Sequence, residues 1–443
     1  LKLLGARLMT DRTAKVAIVG FGTIGSGVAR LLLERQERIS RQAGRRVELV
    51  RIVDTDLLRT RNVTPPPGML TSDLALVLND PEIEAVVQVV GGLEPDRTIM
   101  LRLLESGKNV VTANKALLAE HGPELFDRAR QLGRSIAFEA AVAGGIPIIA
   151  AINQSLVANQ IQSIHAILNG TSNFILTQME DHDASYAEAL AEAQQLGFAE
   201  ANPAMDVNGS DAAQKLAILA HLAFDARVPW KDIPRVGIDT VEVADMRYAK
   251  ELGYSIKLLA VAELVPEGLE LHVSPTLVRL RSPLAQVHGA YNAVRVVGDA
   301  VGRVFFHGLG AGQLPTASAC VADLIDTLLG RAAITFRARQ LWSDHRQAPV
   351  APRDPARVPG RFYLRFNVDD RPGVMAEIAG ILGRCDISIA SVIQHETEEE
   401  VQGVVPLVIM THTATEGAMR RAMETINCLA SLHPGSIRMR VRD

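Results

Sequence analysis

The segment Gly20-Phe-Gly-Thr-Ile-Gly25 constrains this chain more than any other. It ends a strand-like run, Lys15-Val-Ala-Ile-Val-Gly20, and opens a helix-length segment from Gly22 to Arg35. Glycines at this spacing permit a tight strand-to-helix turn, and they let backbone N–H groups approach a pyrophosphate at the helix N-terminus. A GxGxxG alone is also compatible with a simple packing turn. Here the next strand-like run, beginning at Val47, ends in Asp54, where an acid accepts from the ribose hydroxyls of an adenosine. Arg59 and Arg61 follow closely and would instead suit a 2′-phosphate, so NAD and NADP both stay open. Apolar runs at 84–90, 109–113 and 135–139 alternate with helix-length segments, the pattern of parallel βαβ units. Gln36 to Arg46 reads as a loop or helix extension, and Pro65 to Pro67 mark a surface loop. Residues 15–145 are therefore expected to form a Rossmann-type dinucleotide-binding domain after a tail at 1–14.

A chain of 443 residues allows two or three domains. Near residue 146 the pattern changes. Ser185-Tyr-Ala-Glu188 is a capping box opening a helix that Gly197 can close. Ser210 is placed to cap a helix to about Phe224, and strands are expected near 269–306. Residues 146–340 read as an α+β substrate and catalytic domain, with a strand and helix near 310–335 returning to the first domain. Proline-rich residues 341–361 read as a linker, and 362–443 as a separate βαββαβ unit of ferredoxin-like order. The formal charge of −4 carries no footprint for nucleic acid. Apolar runs fall short of the roughly 18–20 residues of a membrane span. Cys320, Cys385 and Cys428 lack zinc-ligand spacing and read as free thiols, so a cytoplasmic location is expected.

Candidate chemistry gathers at 197–215, which contains Glu200, Asp206, Asp211 and Lys215. Asp211 and Lys215 are four apart on a helix, and an exposed pair of that kind contributes only about 0.3–0.5 kcal/mol. Lys215, however, shares its stripe with Ile218, Leu219 and Leu222. Desolvation on such a face lowers an ammonium's pKa toward the working range of an acid. Glu200 lies in a turn and is otherwise a solvated carboxylate. Lys115, in Thr112-Ala-Asn-Lys-Ala116, ends a βαβ strand, where ligands of open α/β sheets bind; its alternative is a surface lysine.

These segments together resemble homoserine dehydrogenases of the type with a C-terminal ACT domain. The resemblance is carried by Gly20 to Gly27, Thr112 to Ala116, Phe138-Glu-Ala-Ala-Val-Ala-Gly-Gly-Ile-Pro147, Leu168-Asn-Gly-Thr-Ser-Asn173, the 197–215 stretch and Gly310-Ala-Gly-Gln-Leu-Pro-Thr-Ala-Ser318. It implies reversible NAD(P)-dependent hydride transfer between L-aspartate 4-semialdehyde and L-homoserine. It assigns Lys215 as proton donor, with Lys115 sharing that task or orienting the carbonyl. Glu200, Asp206 and Asp211 become substrate-binding carboxylates. Gly20, Phe21, Gly22, Thr23, Ile24, Gly25, Asp54, Lys115 and Gly312 become cofactor contacts. Glu139, Val142, Gly144 and Ile146 match a structural site where mainly backbone carbonyls hold sodium or potassium.

Asp369-Asp-Arg-Pro-Gly-Val374 and Ile387-Ser-Ile-Ala-Ser-Val-Ile-Gln394 resemble the ligand-edge segments of ACT domains. The resemblance implies L-threonine as effector, with Gly373, Val374, Ser391 and Gln394 at its site, and a homodimer or homotetramer. Three positions depart from the family pattern: Asn202 for Asp, Gln88 for an acid, and Val53 for an Arg before Asp54. The last weakens the case for NADP. With 14 residues ahead of the Rossmann unit, no aspartate-kinase segment is expected. The rivals are an oxidoreductase for another amino aldehyde and an amino-acid-binding regulator without catalysis. The joint presence of Lys115, Glu200, Asp211 and Lys215 argues against the regulator.

Overall fold

The alternating apolar runs of the N-terminal third form one parallel sheet in the computed structural model, which describes residues 10–343, 350–395 and 403–442. Its strands are β1 (Thr10–Val19), β2 (Arg45–Val53), β3 (Leu70–Thr71), β4 (Ile83–Gln88), β5 (Asn109–Thr112) and β6 (Ile136–Ala137). Their order is β3-β2-β1-β4-β5-β6. The chain therefore changes direction between β1 and β4, and the crevice at that switch point is where such sheets bind ligands. Gln36–Ala43 is a helix of its own, not a loop: Arg35 breaks it from Thr23–Glu34, and Ile39 and Ala43 are buried.

The second sheet begins with β7 (Ile161–Ile167), β8 (Tyr254–Val265), β9 (Gly268–Arg279), β10 (Tyr291–Gly298) and β11 (Gly302–Leu309), in the order β11-β10-β7-β8-β9. Neither β7 nor β8 stands out in the sequence. The first nine residues of β8 are all buried, so the alternation that reveals a half-exposed strand is missing. Helix Ser210–Phe224 is buried on nearly every side, so it reads as apolar all round rather than amphipathic. Ser210 is not its cap. Gly209 holds that position with φ +81°, and the Ser210 N–H donates to the side chain of Asn208 at 2.9 Å. The Ser185 capping box forms with both arms and opens helix Tyr186–Gln195.

The C-terminal unit consists of β12 (Pro359–Asp369), helix Val374–Arg384, β13 (Ile389–Ile393), β14 (Val404–Thr411), the two-residue β15 (Ala414–Thr415), helix Glu416–Ile426 and β16 (Leu432–Arg442). Leaving aside β15, this is the βαββαβ order read from the sequence. Its strands continue the second sheet, because β16 runs parallel to β9 over Arg440–Arg442 and Thr276–Val278. Part of the expected linker, 344–349, lies outside the described residues; beyond it, Pro352 bridges Leu269 on the β9 edge. Among the described residues no helix is long and apolar enough to cross a membrane.

A buried ion pair joins the C-terminal unit to the second domain. Asp245, on helix Val243–Glu251, has no solvent exposure. It accepts from Arg365 Nε at 2.7 Å, Arg365 Nη2 at 3.0 Å and the Tyr363 hydroxyl at 2.9 Å. Arg365 has one further carboxylate, the half-exposed Glu242 at 3.0 Å. Removing one member of a buried pair strands the other's charge, whereas replacing both with apolar groups costs far less. We expect Asp245→Ala to lower the unfolding free energy by about 3 kcal/mol in urea titrations. The double variant Asp245→Leu/Arg365→Met should recover much of that loss; equal losses would refute the buried-charge account.

Candidate active site

Each glycine of the N-terminal loop has a separate steric reason. Gly20 has φ +98°, and a Cβ there would lie 2.7 Å from the Val89 carbonyl at the end of β4. At Gly25 it would lie 1.9 Å from the Gly20 oxygen. Around Gly22 a Cβ would meet nothing, so the open side of the turn lies there. Helix Thr23–Glu34 starts with no side-chain cap, which leaves the N–H groups of Thr23 and Ile24 for an anion. Asp54 accepts from the Phe21 N–H through one oxygen and from the Asp56 N–H at 2.8 Å through the other. Arg61 Nη2 stands 3.6 Å from Asp54, Arg61 Nε donates to the Phe21 carbonyl at 2.6 Å, and the guanidinium lies over the Phe21 ring. An acid and an arginine thus stand together at the end of β2. The 310–318 segment also lies here: Gly312 (φ +117°) caps helix Gln313–Leu328, and Gln313 donates to Ser26 at 3.0 Å.

The structure brings Lys115, Asp206, Asp211 and Lys215 together from different elements. Asn114 caps helix Lys115–Gln131 by accepting from the Leu117 N–H, which sets Lys115 at its first turn. Lys115 Nζ lies 2.9 Å from Asp211 Oδ1, and Lys215 Nζ donates to Asp211 Oδ2 at 2.8 Å and to the Leu168 carbonyl at 2.7 Å. Two of the three Lys215 N–H donors are thereby engaged. Asn169 was given no role by the sequence reading, yet its amide links the acids: Nδ2 donates to Asp206 at 2.7 Å and to Asp211 at 2.8 Å. Its oxygen accepts from the Ser172 N–H and caps helix Gly170–His182. An Asn before Gly at a strand-to-helix junction was the available signal.

The charges follow from this geometry. Burial alone would push Asp211 up, but Lys215 and Lys115 outweigh it and hold the carboxyl well below the usual carboxylate range. Burial pushes Lys215 below the ordinary lysine value despite Asp211. Lys115 is raised, chiefly by Asp211. Asp206 is pushed up by burial against the Asn169 hydrogen bond. The two lysines therefore differ in kind: one a stable cation, the other a group whose proton is more easily exchanged.

Other sequence-selected residues lie apart from this core. Glu200 is exposed on its loop, and its charge reaches Lys115 only through space. The Glu139 carboxylate accepts from the N–H groups of Ile149 and Ala150 at 2.9 and 2.7 Å, and burial lifts its pKa to about 7. Its backbone oxygen accepts from the Val142 N–H at 3.5 Å. The carbonyls of the buried residues Val142 and Gly144 receive no backbone donor among the described residues, and Ala143 between them is left-handed at φ 51°. Buried carbonyls left without donors fit a monovalent cation. The Ile146 carbonyl, in contrast, already accepts from the Ile148 N–H at 2.8 Å. In the C-terminal unit, Gly373 (φ +98°) precedes helix Val374–Arg384 with open space around it; Val374 is buried, and Ser391 and Gln394 are exposed at and just beyond the β13 edge. Of the departures, Gln88 is buried and donates to the Asp96 side chain, which in turn accepts from Asn114. Asn202 accepts from the Ala204 N–H at 3.2 Å in the turn before helix Ala204–Val207.

Residues 147–325 match the family described as homoserine dehydrogenase, 20–139 its NAD-binding domain, and 362–427 the ACT domain. A homoserine dehydrogenase of Pseudomonas aeruginosa is 42% identical over 440 residues, spanning 97% of this chain and 99% of its own length. Another, of Synechocystis, is 42% identical over 429 residues, spanning 95% and 97%. The crystal structure of a homoserine dehydrogenase from Thiobacillus denitrificans superposes with a TM-score of 0.89 at 40% identity, covering 98% of this chain and 99% of that one.

The loop geometry makes a direct prediction. Gly25→Ala should leave the far-ultraviolet circular dichroism intact and weaken NADH binding by at least about tenfold, ~1.4 kcal/mol. Fluorescence titration of NADH measures this. Unchanged affinity would show that the dinucleotide does not sit on the Gly20–Gly25 turn.

Proposed function

The chain belongs to the homoserine dehydrogenase family, and on that footing we propose a division of labour among its site residues. The enzyme is an NAD(P)-dependent oxidoreductase interconverting L-aspartate 4-semialdehyde and L-homoserine. The observation that carries the assignment of roles is Asp211, a buried carboxylate holding Lys115 from one domain and Lys215 from the other. A nicotinamide held on the Gly20–Gly25 turn would supply hydride to C4 of the aldehyde or take it up from the alcohol. Lys215 gives its proton to the alkoxide oxygen that forms, and in the reverse direction a neutral Lys215 removes the hydroxyl proton. Lys115 stays cationic and stabilises negative charge on the same oxygen. Asp206 and Glu200 receive the substrate ammonium, and Asn169 keeps Asp206 and Asp211 together. The Gly20–Gly25 turn with Gly312 holds the pyrophosphate. Asp54 and Arg61 serve the two forms of adenosine ribose, which favours use of both nicotinamides.

Three further assignments belong to this reading. The carbonyls of Glu139, Val142, Gly144 and Ile146 hold a structural sodium or potassium ion, with Ile146 turning its oxygen away from Ile148. The enzyme is a cytoplasmic homodimer or homotetramer, a state favoured by the open edges of β11 and β13 at the two ends of the second sheet. Finally, the ACT unit binds L-threonine against Gly373, Val374, Ser391 and Gln394. The left-handed, uncrowded Gly373 lets a ligand approach the backbone at the start of the helix.

Two experiments test these roles. Lys215→Ala should fold and lose about 10²–10⁴-fold in kcat. In homoserine oxidation, wild-type kcat/KM should rise with pH through a pKa below the ordinary lysine range, because Lys215 must be neutral to accept the proton and its pKa is depressed. Aldehyde reduction should fall through the same limb. A kcat within about threefold of wild type, or the same pH limb in the variant, would transfer the role to Lys115. For the effector, L-threonine should inhibit the full chain and release binding heat at millimolar concentration, and Ser391→Ala should weaken both. Absence of heat and inhibition would leave the ACT unit with assembly alone.

A further inference from the structure

β9 and β16 run side by side for three residue pairs and part before Arg440. Two segments of the chain enter the gap, where Arg235 bridges Val273 and Pro352 bridges Leu269. The wedge encloses a cavity of about 390 Å³ between the catalytic domain and the ACT unit. Arg235, Arg353, Arg420, Arg438 and Arg440 line it. Against them stand the carboxylates of Glu270 and Glu416.

Both carboxylates are already committed. Glu416 takes Arg438 and, at 2.7 Å, Arg440. Glu270 takes Arg442 at 2.6 Å and faces Arg440 at 3.7 Å. Arg235 rests on the Lys231 carbonyl and the Trp230 ring, with no carboxylate partner among the described residues. Arg420 has no ion pair or hydrogen bond among the described residues. Arg353 reaches Glu267 only at 3.9 Å, and its Nε is buried without a partner. His272, 3% exposed, also lines the cavity; its Nδ1 meets the Ser274 hydroxyl at 3.1 Å, and its buried Nε2 has no hydrogen bond. Burial and the Arg440 and Arg442 guanidiniums keep this ring neutral. Its Nε2 faces Glu270 Oε1 at 3.6 Å, beyond hydrogen-bond distance, so with its proton there the ring is a neutral donor whose hydrogen bond is unmade.

A partly enclosed cavity with surplus guanidinium charge and unmet donors is electrostatically matched by an anion. We propose that the wedge between β9 and β16 is a binding site for a small oxyanion group, phosphate or carboxylate, held by Arg235, His272 and Arg353 on the catalytic side and Arg420 on the ACT side. This site is separate from the Lys115–Asp211–Lys215 centre and from the Gly373 edge. An anion there ties two parts of the chain through groups that otherwise repel one another, so it stabilises the native arrangement by mass action.

Inorganic phosphate is the probe. It is titrated into the full chain with NAD saturating, so that the dinucleotide turn is filled, and followed by calorimetry and thermal melting at constant ionic strength. Saturable binding and a rising melting temperature are expected, with the phosphate Kd weakened by about tenfold or more in Arg235→Ala/Arg420→Ala. Should that double variant lose its cooperative melt, the exposed Arg420→Ala alone carries the comparison. Succinate in place of phosphate distinguishes the two oxyanion chemistries, and binding of either supports the site. The proposal is overturned if neither anion binds saturably, if chloride at equal ionic strength gives the same melting shift, or if the variants bind as tightly as wild type.

Discussion

One carboxylate organises the proposed catalytic centre. Asp211 is buried, and burying an ion costs several kcal/mol unless it is well partnered. Here two ammonium groups and the Asn169 amide surround it at 2.8 to 2.9 Å. Lys115 reaches it from the first turn of a helix in the nucleotide-binding domain, and Lys215 from one turn further along its own helix. The site is therefore assembled by closing one domain on the other. The same arrangement sets the two lysines apart. The one that is more exposed gains from Asp211 more than it loses, and the one buried among apolar neighbours does not.

A continuous sheet supports this centre from behind. From β11 to β13 the strands form a single path, with the ACT unit entering through β16 against β9. The Asp245–Arg365–Tyr363 cluster locks helix Val243–Glu251 to β12 at a second point. A ligand on the ACT edge thus has a physical path to the catalytic domain through two contacts, one of strand pairing and one of buried charge. Coupling along it requires that effector and substrate favour different arrangements of those contacts.

Local chemistry was legible where it depends on neighbours in sequence. The Ser185–Glu188 capping box, the Gly20–Gly25 turn and the βαββαβ order of the last 80 or so residues are each short-range patterns. Legibility failed where burial erases periodicity. β8 has no polar face to alternate with. Ser210 looked like a cap because its residue type suits one, but the left-handed Gly209 placed the helix start one residue earlier than that reading allowed. Gln88 stands where the family usually has an acid. In the fold it is one end of a buried amide–acid–amide chain whose carboxylate is Asp96.

The sequence by itself determined the dinucleotide turn, the family, and the set of residue types at the site, because these are read from spacing along the chain. It also placed Asp211 and Lys215 one helical turn apart. Only the tertiary structure decided that Lys115 meets the same carboxylate, since 96 positions separate them and nothing local records the meeting. It likewise decided that Asn169 ties Asp206 to Asp211, that Glu200 stays at the exposed rim, and that β9 and β16 part to leave a wedge lined with arginine. Desolvation and charge proximity are properties of the packed molecule, and they set the protonation of Lys115 and Lys215 in opposite directions although the two side chains are chemically the same.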